Sequence, residues 1–338
     1  MPRTPNCCAS PTGSLILNTG TLRLCLRRLV ANYRLTVAAE ESEELSAVHN
    51  FEYVVPTSVG QASRLLASAG QGGRILAGGT DVLVQLREGR RRVDLLIDVK
   101  GIPELEEISF SQTDGLRLGA AVPCARVYEH RDVHHVFPIL VDSASLIGGT
   151  AIQGRASLGG NLCNASPAAD GIPSLIALSA VCVIDGPNGE RTVPVEEFCV
   201  SPGRTVLESG ELLVGFNIPT PKRHTGARFL RFIPRNEMDI AVVNAAAYVE
   251  LDTHNETIRH ARLALGAVAP QPLYLKEASE ALAGVPATLA GIAQAVEMAR
   301  EAAKPIGDTR GTIAQRRHLA GVLTQRAIEG AIERAKGH

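Results

Sequence analysis

IGGTAIQGRASLGGNLCNASPAADGIPSLIAL, residues 147–178, carries the glycine pairs Gly148-Gly149 and Gly159-Gly160, with Asn161 directly after the second pair and Asp170 nine residues further on. Glycine lets a backbone turn and approach a neighbour where a Cβ would interfere. Backbone N–H groups collected in such a loop seat phosphate oxygens. Asn161 and Asp170 supply polar groups for the rest of a ligand. The apolar run Ile172 to Leu178 reads as a buried helix. The stretch therefore reads as a ligand-cradling loop that leads into an interior helix.

A second glycine pair lies upstream, in Arg74-Ile-Leu-Ala-Gly-Gly-Thr-Asp81. Ile75 to Ala77 reads as a short buried strand. Val82 to Arg87 reads as the helix that follows, with Thr80 or Asp81 as its N-cap. A strand, a Gly-Gly turn and a helix N-terminus make an anion site, because free N–H groups and the helix dipole face the ligand. One such loop alone reads as a tight turn. Two in one chain, the second with Asn and Asp close by, point to a dinucleotide.

Outward from these loops, the first segment reads as strand Phe51–Val55, helix Ser58–Ala69, the first Gly-Gly loop with its helix, and strand Asp94–Val99. Val59, Ala62, Leu65 and Leu66 share one face of the 58–69 helix. This α/β unit ends near residue 106. A second unit spans 107–224. It opens with a hairpin, 105–110 and 115–119, followed by helices at Cys124–His130 and Phe137–Ser145. Strands at 180–185 and 191–194 flank the Gly186-Pro-Asn-Gly189 turn, and a strand at 211–218 stops at Pro219. The third unit, 225–338, has strands at 227–233, 242–251 and 257–268. Two helices close it, at 289–304 and 312–335. Leu319, Val322, Leu323, Ala327 and Ile328 mark the buried face of the last helix, with Arg316, Arg317 and Arg326 facing away or bridging a partner.

Residues 1–48 differ from the rest, with five Arg and no acidic residue up to Ala39. They read as an extension outside the folded body; an organelle transit sequence is the alternative. The whole chain has 338 residues, 45% apolar and 20% charged, enough for two or three cores. A net charge of −1 without a basic stripe argues against nucleic acid, and no apolar run reaches transmembrane length. Seven scattered cysteines with no Cys-x-x-Cys pair exclude a disulfide framework or a metal site of that type, and suit a reducing cytoplasm.

No Gly-x-Gly-x-x-Gly follows the first strand, the P-loop ending is missing, and no Gly-x-Ser-x-Gly elbow occurs. His134-His135 reads as a surface pair, since no third ligand sits at metal spacing. Cys163 reads as a packing residue of the loop, with ligand contact as the alternative. Arg235 and Asp239 read equally as an ion pair or as part of a site. No nucleophile with its base is present, so any chemistry belongs to a bound cofactor.

AGGTD at 77–81, SLGGN at 157–161 and NASPAAD at 164–170 closely resemble the two FAD-binding motifs of the molybdenum hydroxylase flavoprotein subunits. These are the medium subunits of the aerobic carbon monoxide dehydrogenase, xanthine dehydrogenase and 4-hydroxybenzoyl-CoA reductase group. The likeness continues through SGELLVGFNIP at 209–219, MDIAVVNAAA at 238–247, LALGAVAPQP at 263–272 and the RGTIAQRRHLAGVL helix. It implies an α+β fold. A PCMH/VAO-type FAD-binding domain of two α+β subdomains, 49–106 and 107–224, would precede a C-terminal three-stranded antiparallel sheet with a helical bundle.

The resemblance implies FAD as the cofactor. Arg74, Ile75 and Leu76 lead into the first loop, and Ala77, Gly78, Gly79, Thr80 and Asp81 would wrap the pyrophosphate and ribityl chain together with Ser157, Leu158, Gly159, Gly160 and Asn161. Asp170 matches an Asp that bonds the sugar-alcohol region, and Leu213 an apolar residue of the adenine or flavin wall. Arg231 falls where xanthine dehydrogenases have a Lys near the cofactor, and is expected to stabilise the anionic reduced flavin. Ile147 falls where they place an aromatic against the flavin ring. Thr80-Asp81 departs from the His-Ser of carbon monoxide dehydrogenases. No catalytic or metal-binding residue is implied. The implied partners are a large subunit with molybdopterin and a small subunit with [2Fe-2S] clusters; the implied acceptor is NAD, a quinone or oxygen. A stand-alone FAD-dependent oxidoreductase of the same fold and a flavin-binding assembly protein are the alternatives.

Overall fold

The computed structural model describes residues 50–337 apart from 236 and 237. The extension expected over 1–48 lies outside the described residues. The first unit is β1 (Glu52–Val54), α1 (Val59–Ala69), β2 (Gly73–Leu76), α2 (Val82–Arg87) and β3 (Leu95–Asp98). Its strands pair in parallel in the order β1–β3–β2, as helical crossovers require. The Ser58 hydroxyl accepts the Gln61 N–H and starts α1. Val59 and Ala62 pack on Leu95 and Ile97, and the same cluster takes in Val183, Leu212 and Val214 from the next sheet. Neither Thr80 nor Asp81 caps α2 with its side chain. The Asp81 carboxylate accepts instead from Asn164 Nδ2 at 3.3 Å.

The second unit begins with β4 (Ile108–Ser111) and β5 (Gly115–Gly119), then α3 (Cys124–Glu129), α4 (Arg131–Val136) and α5 (Pro138–Ala144). The sequence pattern gives α3 and α5 but not α4. Next come α6 (Thr150–Gln153), α7 (Leu158–Cys163), α8 (Gly171–Ala177), the hairpin β6 (Val181–Gly186) and β7 (Gly189–Pro194), and α9 (Val195–Phe198). A two-stranded ribbon, β8 (Cys199–Ser201) and β9 (Arg204–Thr205), precedes β10 (Leu212–Ile218). β10 is the central strand of an antiparallel five-stranded sheet ordered β4–β5–β10–β6–β7.

The expected loop at 157–161 is a correction: it forms the start of α7. Ser157 is the N-cap, its hydroxyl accepting from the Gly160 N–H at 3.0 Å. Glycine is a poor helix former, so packing decides here. A Cβ at Gly159 would lie 2.3 Å from the Ala120 carbonyl oxygen, so only glycine lets the turn rest against that backbone.

The third unit is an antiparallel sheet of β11 (Thr225–Phe232), β12 (Val243–Leu251), β13 (Ile258–Gly266) and a two-residue edge strand, β14 (Leu273–Tyr274), which adds a fourth strand to the expected three. Helices α10 (Lys276–Glu280), α11 (Leu289–Ala302) and α12 (Ile313–Lys336) cover one face. Val243, Ala245, Ala247 and Val249 of β12 alternate toward them and meet Ile292, Ala327 and Ile328. The other face, with Phe229, Ala246 and Ala264, packs on Ile172, Leu175 and Ile176 of α8. The interior helix expected after the glycine loop thus lies between the C-terminal sheet and helices α5 and α7.

Arg316 corrects a second expectation, since it is buried rather than outward-facing. Its guanidinium donates to the Val242 and Ala267 carbonyls at 2.7 and 3.2 Å and to Asp308 at 2.8 Å. Backbone carbonyls at buried strand ends need donors, and a long guanidinium reaches two of them at once.

Candidate functional site: a dinucleotide cleft

A cleft of about 430 Å³ opens where the first two units meet. The β2–α2 loop forms one wall and α7 the facing wall. Residues between Gly203 and Leu213 also line it, as does Ile147. Gln85 Nε2 donates to Asn164 Oδ1 at 3.3 Å, and Asn164 Nδ2 donates to Asp81, so a short chain of amides ties the two walls.

The glycines of the two motifs serve different ends. A Cβ at Gly78 would lie 2.0 Å from the Arg155 carbonyl oxygen, and Gly79 has φ +80°. Gly78, Gly79 and Gly159 are therefore fixed by the protein's own backbone. Gly160 differs, because a Cβ there meets only the Ser157 hydroxyl, at 3.1 Å. Among the described residues, the N–H groups of Gly78, Gly79, Thr80 and Asp81 have no backbone acceptor. Unpaired amides at a polar cleft call for an acceptor from outside the chain.

Two guanidiniums line the same cleft, Arg74 and Arg91. Neither has a carboxylate partner among the described residues. Burial, and then the Arg91 charge, hold the Arg74 guanidinium below its usual range. Two like charges side by side in a half-buried place are unfavourable until an anion neutralises them. Arg91 has no signature in the sequence motifs and becomes visible only here.

The expected site residues divide as follows. Arg74, Ile75, Ala77, Gly78, Gly79, Thr80, Asp81, Ile147, Ser157, Gly159, Gly160, Asn161 and Leu213 line the cleft. Leu76 and Leu158 do not; both are buried core side chains, Leu76 against Leu86, Val93 and Leu96. Asp170 and Arg231 are also absent from the lining. They form an ion pair of 2.5 Å, with side chains only 10% and 6% exposed. Asn244 Nδ2 donates to the other Asp170 oxygen at 3.2 Å. Desolvation raises the Asp170 carboxyl against the pull of Arg231 and Asn244. Arg231, expected as a cation near the flavin, carries its charge paired with Asp170 and lies outside the lining.

Cys163 lies in the lining and is an exposed free thiol. His134 and His135 stack edge to face on α4, 5.6 Å apart, outside the lining. Arg235 and Asp239 form an ion pair at 3.1 Å, also outside it.

This geometry suits a ligand with a diphosphate and a long polar chain. Residues 49–221 match the model of the FAD binding domain in molybdopterin dehydrogenase, and residues 228–331 match that of the CO dehydrogenase flavoprotein C-terminal domain. The chain belongs to the molybdopterin dehydrogenase flavoprotein family. Its cofactor is FAD, and it is an oxidoreductase subunit. The xanthine dehydrogenase FAD-binding subunit of Escherichia coli O157:H7 is 32% identical over 281 residues, 83% of this chain and 95% of that one. The carbon monoxide dehydrogenase medium chain of Hydrogenophaga pseudoflava is 31% identical over 281 residues, 83% of this chain and 96% of that one. The solved carbon monoxide dehydrogenase of Hydrogenophaga pseudoflava superposes with a TM-score of 0.81 at 31% identity, over 85% of this chain and 99% of that one. Quinoline 2-oxidoreductase from Pseudomonas putida 86 superposes with a TM-score of 0.78 at 31% identity, over 86% of this chain and 98% of that one.

The residues of the flavoprotein cleft fit its cofactor. Free amides at Gly78 to Asp81 and the unpaired Arg74 and Arg91 match a diphosphate of charge near −2. Leu213 and Ile147 supply apolar wall for a ring. No helix among the described residues is long and apolar enough to cross a membrane.

Proposed function

We propose that this flavoprotein is the electron-transfer subunit of a multi-subunit molybdenum hydroxylase. In this reading a large molybdopterin subunit oxidises the substrate, and a small subunit with [2Fe-2S] clusters carries the electrons to this chain. NAD, a quinone or oxygen takes them away, and the complex works in the cytoplasm. FAD, when bound, supplies the step between one-electron clusters and a two-electron acceptor. The chain's own residues bind and orient it. The amides of Gly78, Gly79, Thr80 and Asp81, with Arg74 and Arg91, hold the diphosphate. Ser157, Gly160 and Asn161 border the ribityl chain, and Leu213 and Ile147 bound the rings. The division into 49–106, 107–224 and 225–338 belongs to the same proposal, and is supported by one main sheet per segment.

The observation that carries this reading is a cleft with unsatisfied amides and two unpaired guanidiniums, but no paired nucleophile and base in its lining. Such a site binds a cofactor without attacking a substrate. The test is reduction of the bound FAD. The purified chain alone should not be reduced by organic donors, and should be reduced quickly when partner subunits with their clusters and a substrate are added. Turnover of a donor by the isolated chain would instead make it a self-sufficient oxidoreductase.

A further inference from the structure

Asn244 lies at the start of β12, an inner strand of the C-terminal sheet, and is fully buried. Strand register places it between Arg231 on β11 and Gly266 on β13. A polar side chain in a buried strand is costly unless it is satisfied. Asn244 is only half satisfied. Its Nδ2 donates to Asp170 Oδ1 at 3.2 Å and toward the Ala169 carbonyl at 3.5 Å, while its Oδ1 has no partner. Gly266 makes room for it, since a Cβ there would lie 2.2 Å from that Oδ1. A Leu or Val would fill the same space without an orphaned oxygen, so packing alone does not account for the amide.

The Asp170 carboxylate is held at both oxygens by neighbouring strands of one sheet, Oδ2 by Arg231 and Oδ1 by Asn244. Asp170 is the residue before α8, and the next N–H, that of Gly171, donates to Asn161 Oδ1 at 3.0 Å. Asn161 lines the cleft. With its oxygen engaged by Gly171, its Nδ2 is left as a donor for the ligand. A continuous set of contacts thus runs from the C-terminal sheet to one cofactor-facing amide.

We propose that Asn244 is a positioning residue for the flavin site. Together with Arg231 it fixes Asp170, hence the Gly171 N–H, and so sets the orientation in which Asn161 offers its Nδ2 to FAD. The C-terminal unit then acts on cofactor binding through Asp170. The inference rests on the reading that Asn161 faces FAD.

The test is the FAD dissociation constant of the full-length protein, stripped of flavin and titrated back, with the melting temperature of the stripped protein as control. Asn244→Leu removes the donor at nearly constant volume and should weaken FAD about tenfold, the usual scale for one lost hydrogen bond to a charged group. Asn161→Ala should give a similar loss. The double variant should be no weaker than either single one, because both break one relay. A purely structural Asn244 would lower the melting temperature and leave FAD affinity alone, and would overturn the proposal, as would additive losses in the double variant. Should Asn244→Leu fail to fold, a polarity swap decides. Asn244→Asp sets two carboxylates face to face and should lose FAD, and adding Asp170→Asn should restore it. Wild-type affinity in Asn244→Asp alone would overturn the relay. A folded wild-type protein that takes up no FAD would overturn the flavin reading itself.

Discussion

At the residue scale, the two glycine pairs look alike in sequence and differ in the structure. Gly78→Ala would drive a methyl onto the Arg155 carbonyl, 2.0 Å away, with no flexible side chain to give. It should destabilise the fold by several kcal/mol, about 3 by the scale of overpacked sites. Gly160→Ala meets only the Ser157 cap hydroxyl, at 3.1 Å, with no backbone in the way. It should keep a near-wild-type melting temperature and still weaken FAD, since its methyl enters the cleft. Melting and FAD titration on both variants check this contrast, which equal effects would contradict. Arg91→Ala carries the opposite sign in the two states. Without FAD it removes the like charge beside Arg74, so the stripped protein should melt no lower than wild type. With FAD it loses a charge-assisted contact and should bind about 10- to 100-fold more weakly. The pairing of Asp170 with Arg231, 61 positions apart, was beyond sequence reading. Both residues look like ligand groups until the fold makes them partners of each other.

At the element scale, the 203–213 segment of the cleft lining is held by one buried carboxylate. Glu211 accepts from Arg191 Nε and Nη2, both at 2.7 Å, and from the Glu208 N–H at 2.7 Å. The Arg191 bonds chiefly hold the Glu211 carboxyl below its usual range. A depressed carboxyl stabilises the fold above its unfolded value, about 4.3, and loses that contribution as pH falls below it. FAD release should therefore steepen below about pH 4.3 in wild type. Glu211→Gln should bind FAD more weakly at pH 7 and lack that acid step; identical pH profiles for the two proteins would refute the role of the pair. Elements with strong periodicity were legible: α1, the 186–189 hairpin and the long strands β11 to β13. The ribbon strands β8 and β9 and the edge strand β14 span two or three residues, too short to leave an alternation. α7 was hidden for another reason. Its Gly pair argues for a loop by intrinsic propensity, and only contact with Ala120 makes the helical turn the better solution.

At the scale of the whole molecule, the C-terminal unit is clamped to the cleft-bearing body by charge as well as by apolar packing. Asp142 on α5 accepts from Arg334 of α12 at 2.7 and 2.9 Å, from Arg228 of β11 at 3.3 Å and from the Phe229 N–H at 3.2 Å. Arg262 adds a second tie, donating to Glu196 at 2.7 Å and to the Ile176 carbonyl at 3.0 Å while covering the Tyr274 ring. Asp142→Ala leaves two guanidiniums without their anion and should cost about 2 kcal/mol. Limited proteolysis should then cut between residues 218 and 225 faster than in wild type; an unchanged cutting rate would show that apolar contact alone holds the units. The motifs quoted from the sequence placed both walls of the cleft, because each lies within a few consecutive residues. The clamp and the Asn244 relay join residues far apart in sequence, and no local pattern records them.

The central claim is that this cleft binds FAD. Its most direct measurement is the identity and amount of the chromophore released by acid from the purified, folded chain. One FAD per chain is the predicted result, with reduced retention in Arg91→Ala and Gly160→Ala. A folded chain that releases FMN, or that stays colourless after incubation with FAD, would contradict the account.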